Sequence, residues 1–536
     1  MKRALALGVL LFLLLPAHAL ASSPRVTVAE ATAAAGRDPK VVAERHEHPG
    51  MSSSASKNDD GDWEVSYFAE DKRVAVAIVD PVAGEVTESW TGYQVGWKMA
   101  RGYSGAFGHR LNAPYVIVPL FLLFAVGLLD WRRPWRIASL DIVVLLGFGV
   151  SHFFFNRADI GVSVPLQYPV LLYLLGRALW VGVRGRGDGI RPVWPTAWLV
   201  VVALFLIGIR VGLNLADAGT IDVGYASVVG ADRIEHGEQL YDNFPDDVSS
   251  GDTYGPVNYL AYVPFEAILP WHGTWDDLPS SHAAAVVFDL ATIALLVLLA
   301  LRIRPGPPGG RLAAILAFAW AAYPYTALPL ETNSNDTLVA LLLVATLLVL
   351  ARPAARGALT ALTGLAKFAP LVLVPMLATY RPAGRSRAAT FLAGFGATAF
   401  LLMLWPAIDP GLATFWDRTL GYQAGRDSPF SIWGQVPGLE PLRVALLIAV
   451  AALSIGLAVR PRRKSLVQVA ALAAALIIAL QLTATHWFYL YIVWFYPLLI
   501  VALTTIEVGT EAEVATTPRR EPASEPARSS QPVHSG

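Results

Sequence analysis

The feature that most constrains this chain is a series of long apolar stretches between Tyr115 and Thr504. A helix needs roughly 20 residues to cross the hydrocarbon core of a bilayer, and its backbone must be hydrogen-bonded within the segment. Apolar stretches near this length therefore predict an all-α, polytopic membrane protein with about eleven spans. We place the spans at Tyr115–Leu129, Ile137–Phe155, Val164–Val183, Pro195–Leu213, Ala283–Leu301, Leu312–Leu328, Thr337–Ala351, Ala388–Trp405, Val444–Val459, Ser465–Leu482 and Phe488–Thr504.

The composition agrees with this class. Of 536 residues, 55% are hydrophobic and only 15% are charged, and the mean hydropathy is +0.49. Soluble domains are about 25% charged. The formal net charge of zero gives no reason to expect a nucleic-acid partner. The absence of cysteine excludes disulfides, zinc–thiolate sites and cysteine nucleophiles.

The N-terminus predicts a secretory signal peptide at residues 1–21. Lys2 and Arg3 precede the apolar run from Ala4 to Leu15, and small residues around Ala19 offer a cleavage site. An uncleaved first helix is the alternative. In both cases the segment that follows is delivered outside the cytosol.

Residues 22–112 form a polar segment without a spanning stretch. Trp63–Phe68 and Val74–Val79 have strand composition, Asp80–Gly84 is typical of a turn, and Glu85–Trp90 is predicted as the returning strand. This pattern resembles a PepSY-type domain. The resemblance implies a small extracytoplasmic α+β module that binds or regulates, and any other small antiparallel sheet is the alternative.

Basic residues orient the spans, because cytosolic loops carry an excess of lysine and arginine. They concentrate in alternate loops, which are predicted to be cytosolic, and they include Arg132, Arg133, Arg136, Arg184, Arg186, Arg191, Arg302, Arg304, Arg311, Arg352, Arg356, Arg381, Arg460, Arg462, Arg463 and Lys464. The loops predicted to face outward are 214–282, 329–336, 406–443 and 483–487. Residues 113–194 form a three-helix membrane linker, residues 195–506 the main membrane domain, and residues 507–536 a disordered cytosolic tail.

One segment interrupts the alternation of sides. Arg356 and Arg381 are both assigned to the cytosol, yet the residues between them are too few for two full crossings. A re-entrant pair of short helices, broken between Lys367 and Pro370, restores the alternation. Non-helical backbone at membrane depth must be satisfied by protein or by a wet cavity, so the break predicts a cavity.

Polar motifs in the outward loops suggest chemistry. Asp222 follows the span Pro195–Leu213 by nine residues, where a carboxylate can meet a lipid-linked substrate and act as general base. A solvated loop aspartate is the alternative. The stretch IDVGYASVVGADRIEHGEQLYDN contains Asp222, Tyr225 and Tyr241, and TYGPVNYLAYVP begins with Thr253 and Tyr254. GLAKFAP matches part of a G-x-A-x-x-x-K-x-x-P element at Lys367.

These motifs resemble the integral-membrane C superfamily of glycosyltransferases, with polyprenol-phosphate-mannose-dependent mannosyltransferases as the nearest branch. The match covers residues 195–504 approximately. It implies transfer of a sugar, with mannose favoured, from a polyprenyl-phosphate donor to an extracytoplasmic glycolipid or cell-envelope glycan, with inversion. Membrane lipids are the other expected partners.

The resemblance also implies roles for individual residues. In the family the acid of the first outer loop is the base, a role that falls to Asp222. Lys367 would neutralise the leaving phosphate, and a lysine snorkelling to the interface is the alternative. The wording LETNSND departs from the family's Gly-Gln-type pattern. The candidate donor- or acceptor-binding residues are Tyr225, Tyr241, Tyr254, Glu331, Asn335, Asp336, Lys367 and His486, the last of which has a plain interfacial histidine as its alternative.

Two other functions fit parts of the sequence. A lipid or polyprenyl-linked-sugar transporter also uses broken helices, but transporters usually carry paired breaks, and the sequence indicates one. A haem-containing membrane reductase needs paired histidines, and only His152 lies within a predicted span. No metal site or cofactor is expected. The histidines of His46-Glu47-His48 would share one side of a strand in a linker, and Asp246, Asp247 and Asp252 would bind a divalent cation at most weakly.

Overall fold

The computed structural model describes residues 26–58, 61–69, 72–92, 95, 110–276, 278–381, 387–426, 428–505 and 536. The predicted signal peptide and residues 506–535 of the predicted tail lie outside these residues.

The N-terminal segment folds as two short helices packed on a four-stranded antiparallel sheet of order β1-β2-β3-β4. Its elements are α1 (Val28–Ala35), α2 (Pro39–Glu47), β1 (Ser52–Lys57), β2 (Trp63–Ala69), β3 (Lys72–Val79) and β4 (Val86–Thr91). Three of the strands follow the sequence prediction. The helices and β1 were not predicted, and His46 lies within α2 instead of on a strand.

Helices dominate the rest of the described chain. Those of eight residues or more are α3 (Pro114–Leu128), α4 (Ile137–Phe155), α5 (Ile160–Arg184), α6 (Thr196–Asp217), α7 (Asp222–His236), α8 (Pro279–Ile303), α9 (Pro307–Ala322), α10 (Pro324–Glu331), α11 (Asp336–Leu348), α12 (Pro353–Ala366), α13 (Ala388–Pro406), α14 (Glu440–Val459), α15 (Leu466–Gln481) and α16 (Ile492–Thr505). Shorter α-helical turns are Pro256–Leu260, Val263–Glu266, Val374–Ala378, Leu412–Trp416, Tyr422–Gly425 and Ile432–Gln435. Short 3₁₀ turns are Asp246–Val248, Ala369–Leu373, Pro437–Leu439 and Tyr489–Tyr491, and π-helical turns are Ala407–Gly411 and Asp417–Gly421.

The number of spans is smaller than predicted. Six described helices are long and apolar enough to cross a membrane, and the bent pair α9 and α10 would make a seventh. Four predicted spans correspond to the shorter helices α3, α11, α15 and α16, which have 15, 13, 16 and 14 residues. A helix of that length rises only about 20–24 Å, which is less than the roughly 30 Å hydrocarbon core. The structure therefore supports a polytopic membrane protein and does not support eleven full spans.

Small residues let the central helices approach closely. The alanine-rich α15 is almost completely buried and packs against α5 and α16. A Cβ on Gly182 of α5 would lie 2.3 Å from Cδ2 of Leu472 in α15, so this contact requires glycine. Short helices can thus form a buried centre without each crossing the bilayer.

A buried arginine stabilises a bend that the sequence did not indicate. Between α9 and α10 the helix axis turns by 58°. Arg210 of α6 donates from Nη1 to the carbonyl of Trp320 at 3.1 Å, and from Nη2 to the carbonyl of Thr326 at 2.8 Å. The same guanidinium pairs with Asp289 of α8 at 2.6 Å. Carbonyls freed by the bend are therefore satisfied by protein, as backbone at membrane depth requires.

The second break lies at Lys367, where the sequence suggests it. Helix α12 ends at Ala366, and Lys367 has an extended backbone with φ −140° and ψ 134°. The chain continues through the 3₁₀ turn Ala369–Leu373. A Cβ on Gly255 would lie 2.0 Å from the carbonyl oxygen of Leu365, so glycine allows the loop after α7 to contact the end of α12.

Candidate functional site

Asp222 is the first residue of α7, and neighbouring backbone fixes it there. The N–H of Ile221 donates to the carbonyl of Thr332 at 3.1 Å. A Cβ on Gly224 would lie 2.3 Å from the carbonyl oxygen of Asn333, so the first turn of α7 lies directly against the loop before α11. This contact brings Asp222 close to the residues that begin α11.

The Asp222 carboxylate is accessible and is also closely surrounded by protein. The residue is exposed, yet burial by neighbouring atoms raises the pKa of its carboxyl above the ordinary aspartate value. The positive charges of Arg426 and Lys367 partly oppose this rise in pKa. Accessibility combined with desolvation is the environment of a recess in the protein, and it favours a carboxylate that accepts a proton.

Residues from separate segments share this recess, and we call them the Asp222 cluster. Each member interacts electrostatically with at least two others, and the members are Asp222, Tyr254, Asp336, Lys367, Arg426, His486 and Tyr491. Five of them are candidate site residues predicted from the sequence. Arg426 and Tyr491 are not among the predicted residues.

Lys367 has its partners within the protein. Its ammonium forms an ion pair with Asp336, and only 7% of the residue is exposed. The rings of Tyr254, Tyr491 and Trp494 surround Nζ at centroid distances of 5.2, 5.7 and 5.2 Å. Trp494 also donates from Nε1 to Asp336 Oδ1 at 2.9 Å. Because an acid and three rings already hold this cation, Lys367 is poorly placed to serve as the main phosphate ligand.

Arg426 is the cation that has no such partner. It follows the helical turn Tyr422–Gly425, is half-buried, and lies 6.0 Å from the ring centroid of Tyr422. Among the described residues, neither Arg426 nor Asp222 forms a side-chain ion pair. An arginine in a loop predicted to face outward departs from the positive-inside pattern. Arg418 and Arg443 lie in the same loop, so the sequence alone does not single out Arg426.

His486 contributes a neutral ring. Its Nδ1 lies 2.9 Å from the hydroxyl of Ser428, and its ring stacks on Phe488 at 6.0 Å. Burial, followed by the positive charges of Arg426 and Lys367, lowers the pKa of His486 well below its usual range. The imidazole is therefore uncharged at neutral pH and can offer hydrogen bonds without charge.

Tyr254 lines the recess, and Tyr241 supports it from behind. Tyr254 is half-buried, and burial followed by the charge of Asp222 raises the pKa of its hydroxyl well above the usual value. The hydroxyl of Tyr241 donates to the carbonyl of Tyr254 at 3.1 Å, and Tyr241 is only 1% exposed. Tyr241 thus packs behind Tyr254, and its predicted contact with a ligand stays a prediction.

Three further candidates lie outside the cluster. Tyr225 is fully buried, stacks on Trp275 at 4.8 Å, and donates to Asp247 at 3.0 Å. Asn335 donates to the hydroxyl of Ser227 in α7 at 3.2 Å. Both contacts help to hold α7 in place. Oδ1 of Asn335 has no hydrogen-bond partner in the described structure, and ligand binding by either residue stays a prediction.

Glu331 is the third of these candidates. Its electrostatic neighbours are Arg210, Asp217 and Asp289, and none of them belongs to the Asp222 cluster. Glu331 therefore lies apart from the Asp222 cluster, and its role in donor or acceptor binding stays a prediction.

Asp252, one of the aspartates predicted to bind a divalent cation weakly, already has a partner within the protein. Arg418 donates to both carboxylate oxygens of Asp252, at 2.6 and 2.7 Å, which ties the loop after α7 to the segment after α13. Within the described part of the chain, the group with metal-binding geometry is Glu44, Glu47 and His48 in the N-terminal domain.

Comparisons with protein families, with curated proteins and with solved structures find no match to this chain. Both resemblances therefore rest on the sequence motifs. The function must be inferred from the chemistry of the Asp222 cluster.

Proposed function

We propose that this protein is a membrane glycosyltransferase that uses a polyprenyl-phosphate sugar, with mannose favoured as the sugar. The acceptor is a hydroxyl of an extracytoplasmic glycolipid or cell-envelope glycan. The observation that carries the proposal is that the Asp222 carboxylate lies within electrostatic range of the Arg426 guanidinium, and neither group forms a side-chain ion pair among the described residues. Glycosyl transfer from a lipid phosphate is assisted by a base for the acceptor hydroxyl and by a cation at the leaving phosphate.

The chemistry follows from these two charges. Asp222 accepts the proton of the acceptor hydroxyl while the oxygen attacks the anomeric carbon. The bond from that carbon to the phosphate oxygen breaks on the opposite face, which inverts the anomeric configuration. Arg426 stabilises the negative charge that grows on the departing polyprenyl phosphate. The raised pKa of the Asp222 carboxyl makes it a stronger base than an ordinary aspartate.

Sidedness supports an extracytoplasmic reaction in the cell membrane. Basic residues concentrate in the loops on the other side of the predicted topology. Arg418 and Arg426 lie in a loop predicted to face outward, and each has a local reason to be there. Arg418 pairs with Asp252, and Arg426 lies near Asp222.

The direct test is to incubate the purified protein with polyprenyl-phosphate sugars and an acceptor extract, and to measure released polyprenyl phosphate. We expect release that depends on the acceptor, with the mannose donor fastest.

A transporter is the second candidate, because the bend between α9 and α10 adds a second broken helix to the one predicted. Redistribution of donor between leaflets without release of polyprenyl phosphate would support the transporter and contradict the transferase.

Arg426→Ala should lower kcat/KM for the donor by roughly 10- to 150-fold, because a hydrogen bond to a charged group contributes about 1.5–3 kcal/mol. The kcat/KM of Arg426→Lys should lie between those of the wild type and Arg426→Ala, because lysine keeps the charge but loses the planar fork that fits a phosphate. The matched control is Arg443→Ala, which removes an outward arginine paired with Glu440 at 2.6 Å and should leave the rate unchanged. An unchanged rate in Arg426→Ala would exclude Arg426 as the phosphate ligand.

A further inference from the structure

Glu331 is a buried carboxyl without a partner. It is the last residue of α10, is only 3% exposed, and its Oε1 has no hydrogen-bond partner in the described structure. Ionisable groups at such depth are costly unless they are paired or functional. Neither the packing of α10 nor the Asp222 cluster explains its presence.

The charges around Glu331 cannot balance an ionised carboxylate. Arg210 is in electrostatic range, but its Nη2 already pairs with Asp289 at 2.6 Å. The Nε of Arg210 also lacks a partner and forms no hydrogen bond with Glu331. Asp217, the other neighbour, pairs with Arg110 at 2.9 Å. An ionised Glu331 would therefore add one uncompensated negative charge to this region.

The position of Glu331 on its helix makes ionisation still less favourable. The carboxyl lies at the C-terminus of α10, where the helix dipole places partial negative charge. A proton or a bound cation would neutralise the negative charge of the carboxylate and so remove its repulsion by the helix dipole.

The backbone oxygens nearby favour the proton. Broken membrane helices bind sodium through free carbonyls at their C-terminal ends. Here the carbonyl of Leu328 accepts from Thr332 Oγ1 at 2.8 Å, that of Pro329 from the N–H of Ser334 at 2.9 Å, and that of Leu330 from Asn214 at 2.6 Å. Because donors within the protein already form hydrogen bonds to these carbonyl oxygens, the oxygens do not form a ready-made coordination shell for a metal ion.

We infer that Glu331 is a proton-binding site in the membrane domain, with its carboxyl protonated at neutral pH. The site is distinct from the Asp222 cluster and does not depend on the proposed glycosyl transfer. The next residue, Thr332, accepts from the N–H of Ile221 beside Asp222. Ionisation of Glu331 would therefore place charge beside the backbone that anchors α7.

Infrared spectroscopy tests the inference directly, because a protonated carboxylic acid has a C=O stretch that a carboxylate lacks. The wild-type protein at neutral pH should show such a band that is missing in Glu331→Gln. Asp242→Asn, which removes an exposed carboxylate, should leave the band intact. A wild-type spectrum that is unchanged by Glu331→Gln in this region would overturn the proposal.

Thermal unfolding gives an independent readout. A folded state that retains a proton after the unfolded chain has released it loses stability as pH rises. The melting temperature of the wild type should therefore fall relative to that of Glu331→Gln as pH increases from about 4.3, the ordinary glutamate value. Stabilisation of the wild type by sodium chloride but not by choline chloride, absent in Glu331→Gln, would show a sodium site and contradict the proton site. If Glu331→Gln does not fold, the infrared band of the wild type is followed as pH is varied. A band that is present at neutral pH and disappears at higher pH supports the proton site, and absence of the band at neutral pH contradicts it.

Discussion

Asp222→Asn is expected to reduce turnover by about 10²–10⁴-fold, the usual contribution of a positioned acid–base group. Asparagine keeps the size of the side chain and most of its hydrogen-bonding capacity, but it cannot accept a proton at neutral pH. Donor binding should therefore persist, and the loss should appear in kcat. The assay is release of polyprenyl phosphate, with donor affinity measured separately on the same preparation.

The matched control lies on the same helix. Asp232 is ion-paired with His236 at 3.2 Å and does not belong to the Asp222 cluster. Asp232→Asn should change the rate little. Equal losses in both variants would show that the acidity of α7 matters collectively, and full activity in Asp222→Asn would leave the proposed reaction without a base.

The pH profile offers a second check on Asp222. Because burial raises the pKa of its carboxyl, the base becomes protonated at a higher pH than an ordinary aspartate with a pKa of about 3.9. The acid limb of kcat/KM should lie above that value, with activity falling as pH decreases. Residual activity of Asp222→Asn should lack this limb.

Lys367→Ala should destabilise the protein by about 3–5 kcal/mol, because it leaves a buried carboxylate without its cation. Asp336 is only 1% exposed, and its remaining donors are the indole of Trp494 and the hydroxyl of Ser334. This expectation differs from a phosphate-binding role, in which the variant would fold normally and lose donor affinity. The measurement is unfolding in detergent, followed by activity per folded molecule.

A double variant separates the two roles of Lys367. Lys367→Met with Asp336→Asn removes both charges while it keeps similar volumes, so most of the lost stability should return. Glu440→Gln, which disrupts an exposed ion pair, should have little effect on unfolding. If Lys367→Ala unfolds like the wild type, the ion pair is not structural and Lys367 becomes available as a phosphate ligand.

Local patterns in the sequence determined much of the fold. Apolar composition indicated a membrane protein, strand composition and a turn signal indicated β2 to β4, and Lys367-Phe-Ala-Pro indicated the end of α12. These features depend on neighbours within a few residues, which is why they could be predicted. Asp222 could also be proposed from the sequence, because its position after an apolar helix is evident without knowledge of distant contacts.

Helix lengths could not be predicted in the same way. The apolar stretches at α11 and α16 resemble spans, but these helices have only 13 and 14 residues. Tertiary packing can bury an apolar segment as well as lipid can, so hydropathy cannot separate a full span from a short buried helix. The bend after α9 likewise depends on Arg210, which comes from α6.

The roles of the charged residues were decided by tertiary structure alone. In the sequence, Lys367 and Arg426 are both cations in segments near a proposed active site. In the fold, Asp336 and three aromatic rings contact the Lys367 ammonium, whereas Arg426 forms no ion pair with a described residue and lies within electrostatic range of Asp222. A charge is available to a ligand only when no other side chain neutralises it, and the side chains that do so here come from distant parts of the chain.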